Sequence, residues 1–151
     1  MNDLTLSTEP DAVCSQYICD RLRQYNDAHN SAFTLTSQTE PSTVEMYLLD
    51  KEQTVIGGLI GRTHTIPEWL EISTLWVEES WRGQGLGRRL IMAAEQEAQR
   101  WGCRFARLTT SSFQAPNFYT RLGYVLYGTL EDRPAGVTAS YLRKDVSHNQ
   151  L

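Results

Sequence analysis

Apolar residues recur every three or four positions near the start of the chain, a spacing that predicts an amphipathic α-helix with one face toward a core. The helical pattern opens near Asp11 and runs to about His29. Residues 4–6 before it predict a short first strand, and the polar residues 26–42 after it fit either a second short helix or a loop. The apolar positions of the helix are Val13, Tyr17, Ile18, Leu22 and Tyr25.

Alternating apolar and polar residues replace the helical spacing in the next part of the chain and predict three successive strands. A turn at residues 50–53 joins the first two strands as a hairpin. Glycines within the second strand indicate a β-bulge or a close approach of two backbones. The strands cover residues 44–49, 54–63 and 69–77, with a turn around Pro67 before the third.

The helical period then returns, and residues 86–101 predict a helix whose C-terminal cap is Gly102. Its expected core-facing residues are Leu86, Leu90, Ala93, Ala94, Glu97, Ala98 and Trp101. The remaining elements are a strand (105–109), a short helix (115–122) and a closing hairpin (124–130 and 137–142). The order β-α-β-β-β-α-β-α-β-β predicts a mixed α/β fold with helices packed on one sheet.

Composition limits the classes of protein that fit this pattern. The chain has 151 residues, 40% hydrophobic and 21% charged, which favours one folded domain over residues 1–151 and excludes a disordered chain. A formal net charge of -4 lacks the basic surplus of a nucleic-acid binder. We expect a cytoplasmic protein, because no signal peptide opens the chain and no apolar run would span a membrane. The cysteines Cys14, Cys19 and Cys103 match neither a disulfide framework nor a zinc motif, so no metal site is expected.

A glycine-rich turn, Arg82-Gly83-Gln84-Gly85-Leu86-Gly87, lies between the third strand and the long helix. Glycines remove side chains where backbone N–H groups point outward together, and a helix N-terminus adds unsatisfied amides and a positive dipole end. Arg88 and Arg89 follow directly. The turn therefore predicts an anion site suited to a diphosphate.

Three motifs compete for this turn. The P-loop pattern fails because no Gly-Lys-Ser/Thr stands in register. The dinucleotide pattern GxGxxG fails because Arg88 occupies its third glycine, and no acidic residue follows the next strand at the expected spacing. The pattern [R/Q]xxGx[G/A] is matched in full by Arg82, Gly85 and Gly87.

By this motif the chain resembles the GNAT superfamily of acyl-CoA-dependent N-acyltransferases. The segment Asn117-Phe118-Tyr119-Thr120-Arg121-Leu122-Gly123-Tyr124 is similar to the family's A-x-x-F-Y-x-x-x-G-F/Y segment. The resemblance implies one domain with a mixed sheet of six to seven strands and about four helices. It also implies a splay between the strand before the motif and the following parallel strand. Residues 54–142 would be the acyl-CoA-binding core and residues 1–43 the variable, acceptor-side part.

The resemblance also implies roles for individual residues toward acetyl-CoA. Backbone groups of Leu75, Trp76 and Val77 would bond the pantetheine arm as a substitute strand. Asn117 would reach the pantetheine, and Tyr119 would lie near the thioester sulfur. The pyrophosphate would be bound by the N–H groups of Gly83, Gln84, Gly85, Leu86, Gly87 and Arg88, beside Arg82.

The chemistry of acyl transfer explains these residue types, because an amine attacks a thioester only after losing a proton to a base. We expect Glu71 to be that base, with His64 as a rival. Simple alternation places Glu71 on the same strand face as Leu75 and Val77. The Val77 amide would stabilise the oxyanion, and Tyr119 would protonate the departing thiolate.

The expected function is acetyl transfer to a primary amine of a small molecule or peptide, by direct attack in a ternary complex. Two alternatives stay open: acetylation of a protein lysine or N-terminus, and a non-catalytic acyl-CoA-binding module. Acidic residues in loops, such as Glu131 and Asp132, would favour a cationic amine. No nucleic-acid or membrane partner is expected, and a homodimer is an open expectation.

Overall fold

The computed structural model describes residues 4–30, 40–64 and 68–147, which fall into two units, within Met1–Gln38 and within Thr39–Leu151. Helix α1 (Ala12–His29) belongs to the first unit and confirms the predicted helix. Its N-cap is Asp11, whose Oδ1 accepts a 2.7 Å hydrogen bond from the Cys14 amide. That bond to Cys14 lowers the pKa of the Asp11 carboxyl.

The predicted first strand at residues 4–6 is wrong, because these residues do not form a strand. Two leucines in a polar segment are too few to define a strand without a paired neighbour. A second short helix or a loop was expected at residues 26–42; residues 26–29 belong to α1, and residues 31–39 lie outside the described residues, as does the turn around Pro67.

The second unit is built on one six-stranded mixed sheet in the order β1-β2-β3-β4-β6-β5. The described residues contain three α-helices and a short 3-10 turn (Glu79–Trp81), which agrees with the expected fold of one mixed sheet flanked by about four helices. The strands are β1 (Ser42–Leu49), β2 (Val55–His64), β3 (Trp69–Val77), β4 (Phe105–Ser111), β5 (Val125–Leu130) and β6 (Ala139–Asp145). The further helices are α2 (Leu86–Arg100) and α3 (Pro116–Arg121).

The sheet opens between its two parallel strands. β3 and β4 pair only from Trp69↔Phe105 to Ile72↔Leu108. Beyond this last pair β3 continues to Val77 and β4 continues to Ser111 without pairing to each other. The other strand pairs are antiparallel and extend along most of their length. The predicted splay is confirmed.

A β-bulge in β3 reverses the faces of its second half. Ile60 of β2 pairs with Thr74 and the next residue, Gly61, pairs with Ile72, so Ser73 is the extra residue. A Cβ on Gly61 would lie 2.7 Å from the Glu71 carbonyl oxygen, which explains a glycine at this close approach.

The bulge corrects the predicted position of Glu71. Leu70 and Ile72 are buried in the hydrophobic core, and Leu75 packs against the same core. Because the bulge adds one residue between Ile72 and Leu75, Glu71 points to the opposite face of the sheet from Leu75 and Val77. The prediction that Glu71 shares their face is wrong.

The core lies between the sheet and α2. Burying an aliphatic side chain such as Leu70 or Ile91 stabilises the fold by about 1.5–3 kcal/mol. The buried face of α2 is rotated from the predicted one, because Trp101 is substantially exposed and Glu97 pairs with Arg100 at the surface. Its buried residues are Leu90, Ile91, Ala94, Glu95 and Ala98.

Glu95 is a fully buried acidic residue within this core. Its Oε1 accepts a 2.9 Å hydrogen bond from the Tyr124 hydroxyl, and its Oε2 accepts a 2.8 Å bond from Lys144 Nζ. Burial and the negative charge of Glu95 raise the pKa of the Tyr124 phenol. The three side chains join α2, the start of β5 and β6 through one buried network.

None of the helices among the described residues combines the length and apolar character needed to cross a membrane. The cytoplasmic location, like the single domain over residues 1–151, stays a prediction.

Candidate active site

The glycine-rich turn leads into α2 through two residues in left-handed conformation. Gly83 and Gly85 both have φ of 76°, a region that favours glycine. Gly85 is the N-cap of α2, and no side chain caps the helix there. A Cβ at either glycine would meet no protein atom within 4 Å. The first amides of α2 therefore face open space and suit an anion.

Arg82 fixes this turn to the end of β3. Its Nε donates a 2.9 Å hydrogen bond to the Val77 carbonyl oxygen. Gly87 allows α2 to pack closely, since a Cβ there would lie 3.1 Å from the Phe118 ring. The turn, β3 and α3 are thus held around one space.

That space is a cavity of about 1060 Å³ between the glycine-rich turn, the open end of β3 and α3. It brings together most of the residues predicted to bind acetyl-CoA, together with Tyr119. Gln84 and Asn117 are not among its lining residues, and Asn117 is exposed on α3. The lining residues are Leu75, Trp76, Val77, Trp81, Arg82, Gly83, Gly85, Leu86, Gly87, Arg88, Phe113, Gln114, Ala115, Phe118, Tyr119, Arg121 and Leu122.

The cavity side of β3 carries backbone groups that the sheet does not use. Trp76 and Val77 pair with Gly58 and Gly57 of β2, but β4 has diverged from them on the other side. Alternate N–H and C=O groups therefore point toward the cavity, where an extended chain with amides of its own can pair with them.

Tyr119 lines the same cavity and is about half buried. Its ring makes edge contacts with Phe118 and Tyr124, at centroid distances of 5.0 and 6.1 Å. Its carbonyl oxygen accepts a 3.1 Å hydrogen bond from the Tyr124 amide. Burial raises the pKa of the Tyr119 phenol, so the hydroxyl keeps its proton at neutral pH and can donate it.

Glu71 lies on the outer face of the sheet, opposite the core, among basic side chains. Arg62 Nη2 is 3.2 Å from its Oε1, and Arg107 Nη2 is 2.7 Å from its Oε2. Partial burial opposes ionisation of Glu71, but the hydrogen bonds and charges of Arg107 and Arg62 outweigh it and lower the pKa of the carboxyl. His64 Nε2 lies 3.6 Å from Oε2 and has no hydrogen-bond partner among the described residues.

A second, smaller cavity of about 360 Å³ lies on the outer face beside Glu71. Ile72 and Leu108, the last paired residues before the splay, belong to its lining. The two cavities therefore approach the opening between β3 and β4 from opposite faces of the sheet. The small cavity is lined by Glu71, Ile72, Ser73, Arg107, Leu108, Thr109, Tyr127 and Tyr141.

Most residues of the small cavity carry no local signal in the sequence. Arg107 and Thr109 alternate with buried residues of β4, a pattern that marks them as one exposed face, but only strand pairing brings them to Glu71. Arg133, in the loop where Glu131 and Asp132 were expected to face an acceptor, donates a 2.6 Å hydrogen bond to the Tyr141 hydroxyl. Asp132 Oδ1 instead accepts a bond from the Gly136 amide within its own loop.

No group of three or more His, Cys, Asp or Glu residues able to hold a metal ion occurs in residues 4–30, 40–64 and 68–147. The cysteines in this part of the chain are free thiols, and Cys103 is buried.

Comparison with known proteins agrees with this arrangement. The model of the acetyltransferase (GNAT) family matches residues 11–124. Blasticidin-S acetyltransferase of Streptomyces morookaense is 37% identical over 133 residues, covering 83% of this chain and 96% of that protein. An acetyltransferase of Agrobacterium fabrum is 31% identical over 142 residues, covering 94% and 98%. The crystal structure of an acetyltransferase from Bacillus cereus has a TM-score of 0.74 and 30% identity, covering 93% and 97% of the two chains.

Proposed function

The chain belongs to the acetyltransferase (GNAT) family, and from this premise we propose that it transfers an acetyl group from acetyl-CoA to a primary amine of a small molecule. The observation that carries the proposal is the cavity of about 1060 Å³ that joins the anion-binding turn to the unpaired edge of β3 and to Tyr119. Acetyl-CoA supplies an acyl group activated as a thioester.

The residues of the large cavity fit the two ends of this cosubstrate. Amides of the glycine-rich turn and of the first turn of α2 would bind the pyrophosphate, with Arg82, Arg88 and Arg121 nearby to neutralise it. Backbone groups of Leu75 to Val77 would pair with the amides of the pantetheine arm. Contacts from Gln84 and Asn117, which do not line the cavity, stay predictions from the family resemblance.

Tyr119 is proposed as the proton donor to the departing thiolate. Its phenol lines the large cavity, and its raised pKa keeps the proton on the oxygen. The Val77 amide is proposed to donate a hydrogen bond to the reacting carbonyl oxygen, because Val77 lies on the unpaired stretch of β3.

Glu71 is proposed to receive the proton of the amine from the outer face of the sheet. The lowered pKa makes the Glu71 carboxylate a weak base, and we propose that the proton reaches it through water. His64, 3.6 Å from the same carboxylate, is the alternative proton acceptor.

A small-molecule acceptor is favoured over a peptide by two observations. The 37% identical relative is a blasticidin-S acetyltransferase. The small cavity, about 360 Å³, also falls within the size range of sites that enclose small ligands, about 300–1,000 Å³. A protein lysine or N-terminus is the second candidate acceptor.

We expect Glu71→Gln to lower the kcat of acetyl transfer to blasticidin S about 100-fold, the lower end of general-base effects. Because its pKa is lowered, Glu71 is already ionised well below neutral pH. Its ion pairs stabilise the fold above the pKa of the unfolded chain, and this stabilisation is lost only as the pH falls through the pKa of the folded protein. Above about pH 6, the rates of wild type and variant should therefore depend on pH in the same way, with the same pH at half-maximal rate. Release of free thiol from acetyl-CoA measures both quantities.

Glu97→Gln is the matched control, since it removes a surface carboxylate paired with Arg100 on α2, and it should leave kcat unchanged. His64→Asn tests whether His64 is the proton acceptor instead of Glu71. If Glu71→Gln keeps full activity while His64→Asn loses it, His64 and not Glu71 is the proton acceptor.

A further inference from the structure

Strand pairing places four charged side chains in one row across the outer face of the sheet. Arg62 pairs with Glu71, Glu71 pairs with Arg107, and Arg107 pairs with Arg143. Residues directly opposite each other on neighbouring strands share a face. The row therefore runs from β2 through β3 and β4 to β6, with the small cavity beside it.

The row carries more positive than negative charge. The row contains three arginines and one acidic residue. Arg62 and Arg107 each donate one hydrogen bond to Glu71, in both cases from the terminal nitrogen Nη2. Arg143 is exposed, directly opposite Arg107. A guanidinium presents five N–H donors, so the Arg107 side chain that lines the cavity has donors beyond the one given to Glu71.

The other wall of the cavity consists of hydroxyl and aromatic groups. Tyr127 and Tyr141 contact each other at a ring-centroid distance of 6.2 Å, and Thr109 pairs with Tyr141 across the strands. Arg133 Nη1 donates to the Tyr141 hydroxyl at 2.6 Å and adds a further cation at this edge. The side of the cavity away from the splay is thus basic and rich in hydrogen-bond donors.

We propose that the acceptor carries a carboxylate in addition to its amine, and that Arg107 and Arg143 bind this carboxylate. The inference rests on the proposed function and names the class of acceptor for that site. The amine lies at the splay near Ile72 and Leu108, beside Glu71, while the carboxylate lies along the row toward β6. The arginine pair repels a polycationic amine, which has no second acidic partner in the row.

The geometry of the sheet sets the distance between the two groups of the acceptor. Neighbouring strands lie about 4.8 Å apart, so the path from the β3–β4 opening to β6 is roughly 5–10 Å. This distance corresponds to a short aliphatic or ring spacer between amine and carboxylate. Arginine binds a carboxylate through two parallel N–H bonds, which makes the recognition specific for a planar anion.

The test uses matched pairs of acceptors that differ only at the acid. The probes are aminobutanoate, aminopentanoate and aminohexanoate with terminal amines, and the carboxamide of each. We expect wild type to prefer the carboxylate member of at least one pair about tenfold or more in kcat/KM, the size of a charge-assisted hydrogen bond. Arg107→Gln should bring that ratio close to one, and Arg143→Gln should lower it.

Arg100→Gln is the control for loss of a positive charge, because Arg100 lies on α2 and pairs with Glu97; its ratio should equal that of wild type. Binding is measured in parallel by nuclear magnetic resonance titration of isotope-labelled protein, observing the arginine Nε–H signals with and without acetyl-CoA. The carboxylates should shift the Arg107 signal and the carboxamides should leave it in place.

Equal binding and turnover of carboxylates and carboxamides by wild type would overturn the proposal. So would a carboxylate preference that both Arg107→Gln and Arg143→Gln retain. Failure of the proposed function is a separate result, since it appears as absent acetyl-CoA binding. The titration of the protein alone still measures carboxylate preference in that case.

Discussion

Gly85→Glu is expected to abolish acetyl-CoA binding while leaving the protein folded. The new side chain would start at a position where a Cβ meets no protein atom and enter the space in front of the α2 amides. Two like charges 4 Å apart near a protein surface repel by about 4 kcal/mol, so affinity for a diphosphate should fall more than about 100-fold. The negative charge at the helix N-terminus partly offsets the strain of φ 76°.

Thermal unfolding measures this result. A ligand at 100 times its Kd stabilises a protein by about 2.7 kcal/mol, which shifts Tm by roughly 5–11 °C for a chain of this size. Wild type should show this shift with acetyl-CoA, and Gly85→Glu should show none.

Gly102→Glu is the matched control for Gly85→Glu. Gly102 also has positive φ and open space around its Cβ, but it follows the C-terminus of α2, away from the cavity. It adds the same charge and similar strain, and its shift with acetyl-CoA should match that of wild type. Equal loss of binding in both variants would mean that general damage, not the anion site, explains the effect.

Lys144→Met is expected to destabilise the fold by about 3–5 kcal/mol, the range for removing one partner of a buried ion pair. Lys144 Nζ is 2.8 Å from Glu95 Oε2, and Glu95 is fully buried. In the variant the Glu95 carboxylate keeps the hydrogen bond from the Tyr124 hydroxyl and loses the one from Lys144. Tm should fall by roughly 6–20 °C, and denaturant unfolding should give the free energy directly.

The double variant Glu95→Leu with Lys144→Met separates charge from packing. Replacing a buried ion pair by apolar residues of similar volume is often neutral or stabilising. We expect the double variant to be more stable than Lys144→Met alone. A double variant less stable than Lys144→Met would show that Glu95 contributes through its other contacts and not through the pair.

The sequence predicted elements well where one local period dominates. The strand from Trp69 to Val77 and the start of α2 at Leu86 match the structure, because alternation and the glycine-rich turn are local signals. The short strand expected at residues 4–6 failed, since a strand depends on a partner that three residues do not reveal.

The bulge in β3 shows which signal was missed. Leu70 and Ile72 are two residues apart, Leu75 and Val77 are two apart, but Ile72 and Leu75 are three apart. This interval of three breaks the alternation and marks the change of face. Continuing the alternation through it placed Glu71 on the wrong face.

The large cavity could be predicted from the sequence because its key residues are contiguous, whereas the small cavity could not. The proposed anion site depends on contiguous residues, from Arg82 to Arg88, whose order fixes a turn and a helix start. The arginine row depends on the register of four strands that are far apart in the sequence, from Arg62 to Arg143. Tertiary pairing, not local pattern, brings these side chains together. The buried pair of Glu95 and Lys144 was missed for the same reason.

Calorimetric titration of the wild-type protein with acetyl-CoA is the decisive test of the cofactor site. We expect saturable binding of one acetyl-CoA per chain, with a Kd inside the range of about 1 μM–1 mM that enzyme KM values cover. A well-folded protein that releases no heat and shows no saturation with acetyl-CoA would contradict the cofactor site, and with it the assignment of acetyl transfer to this chain.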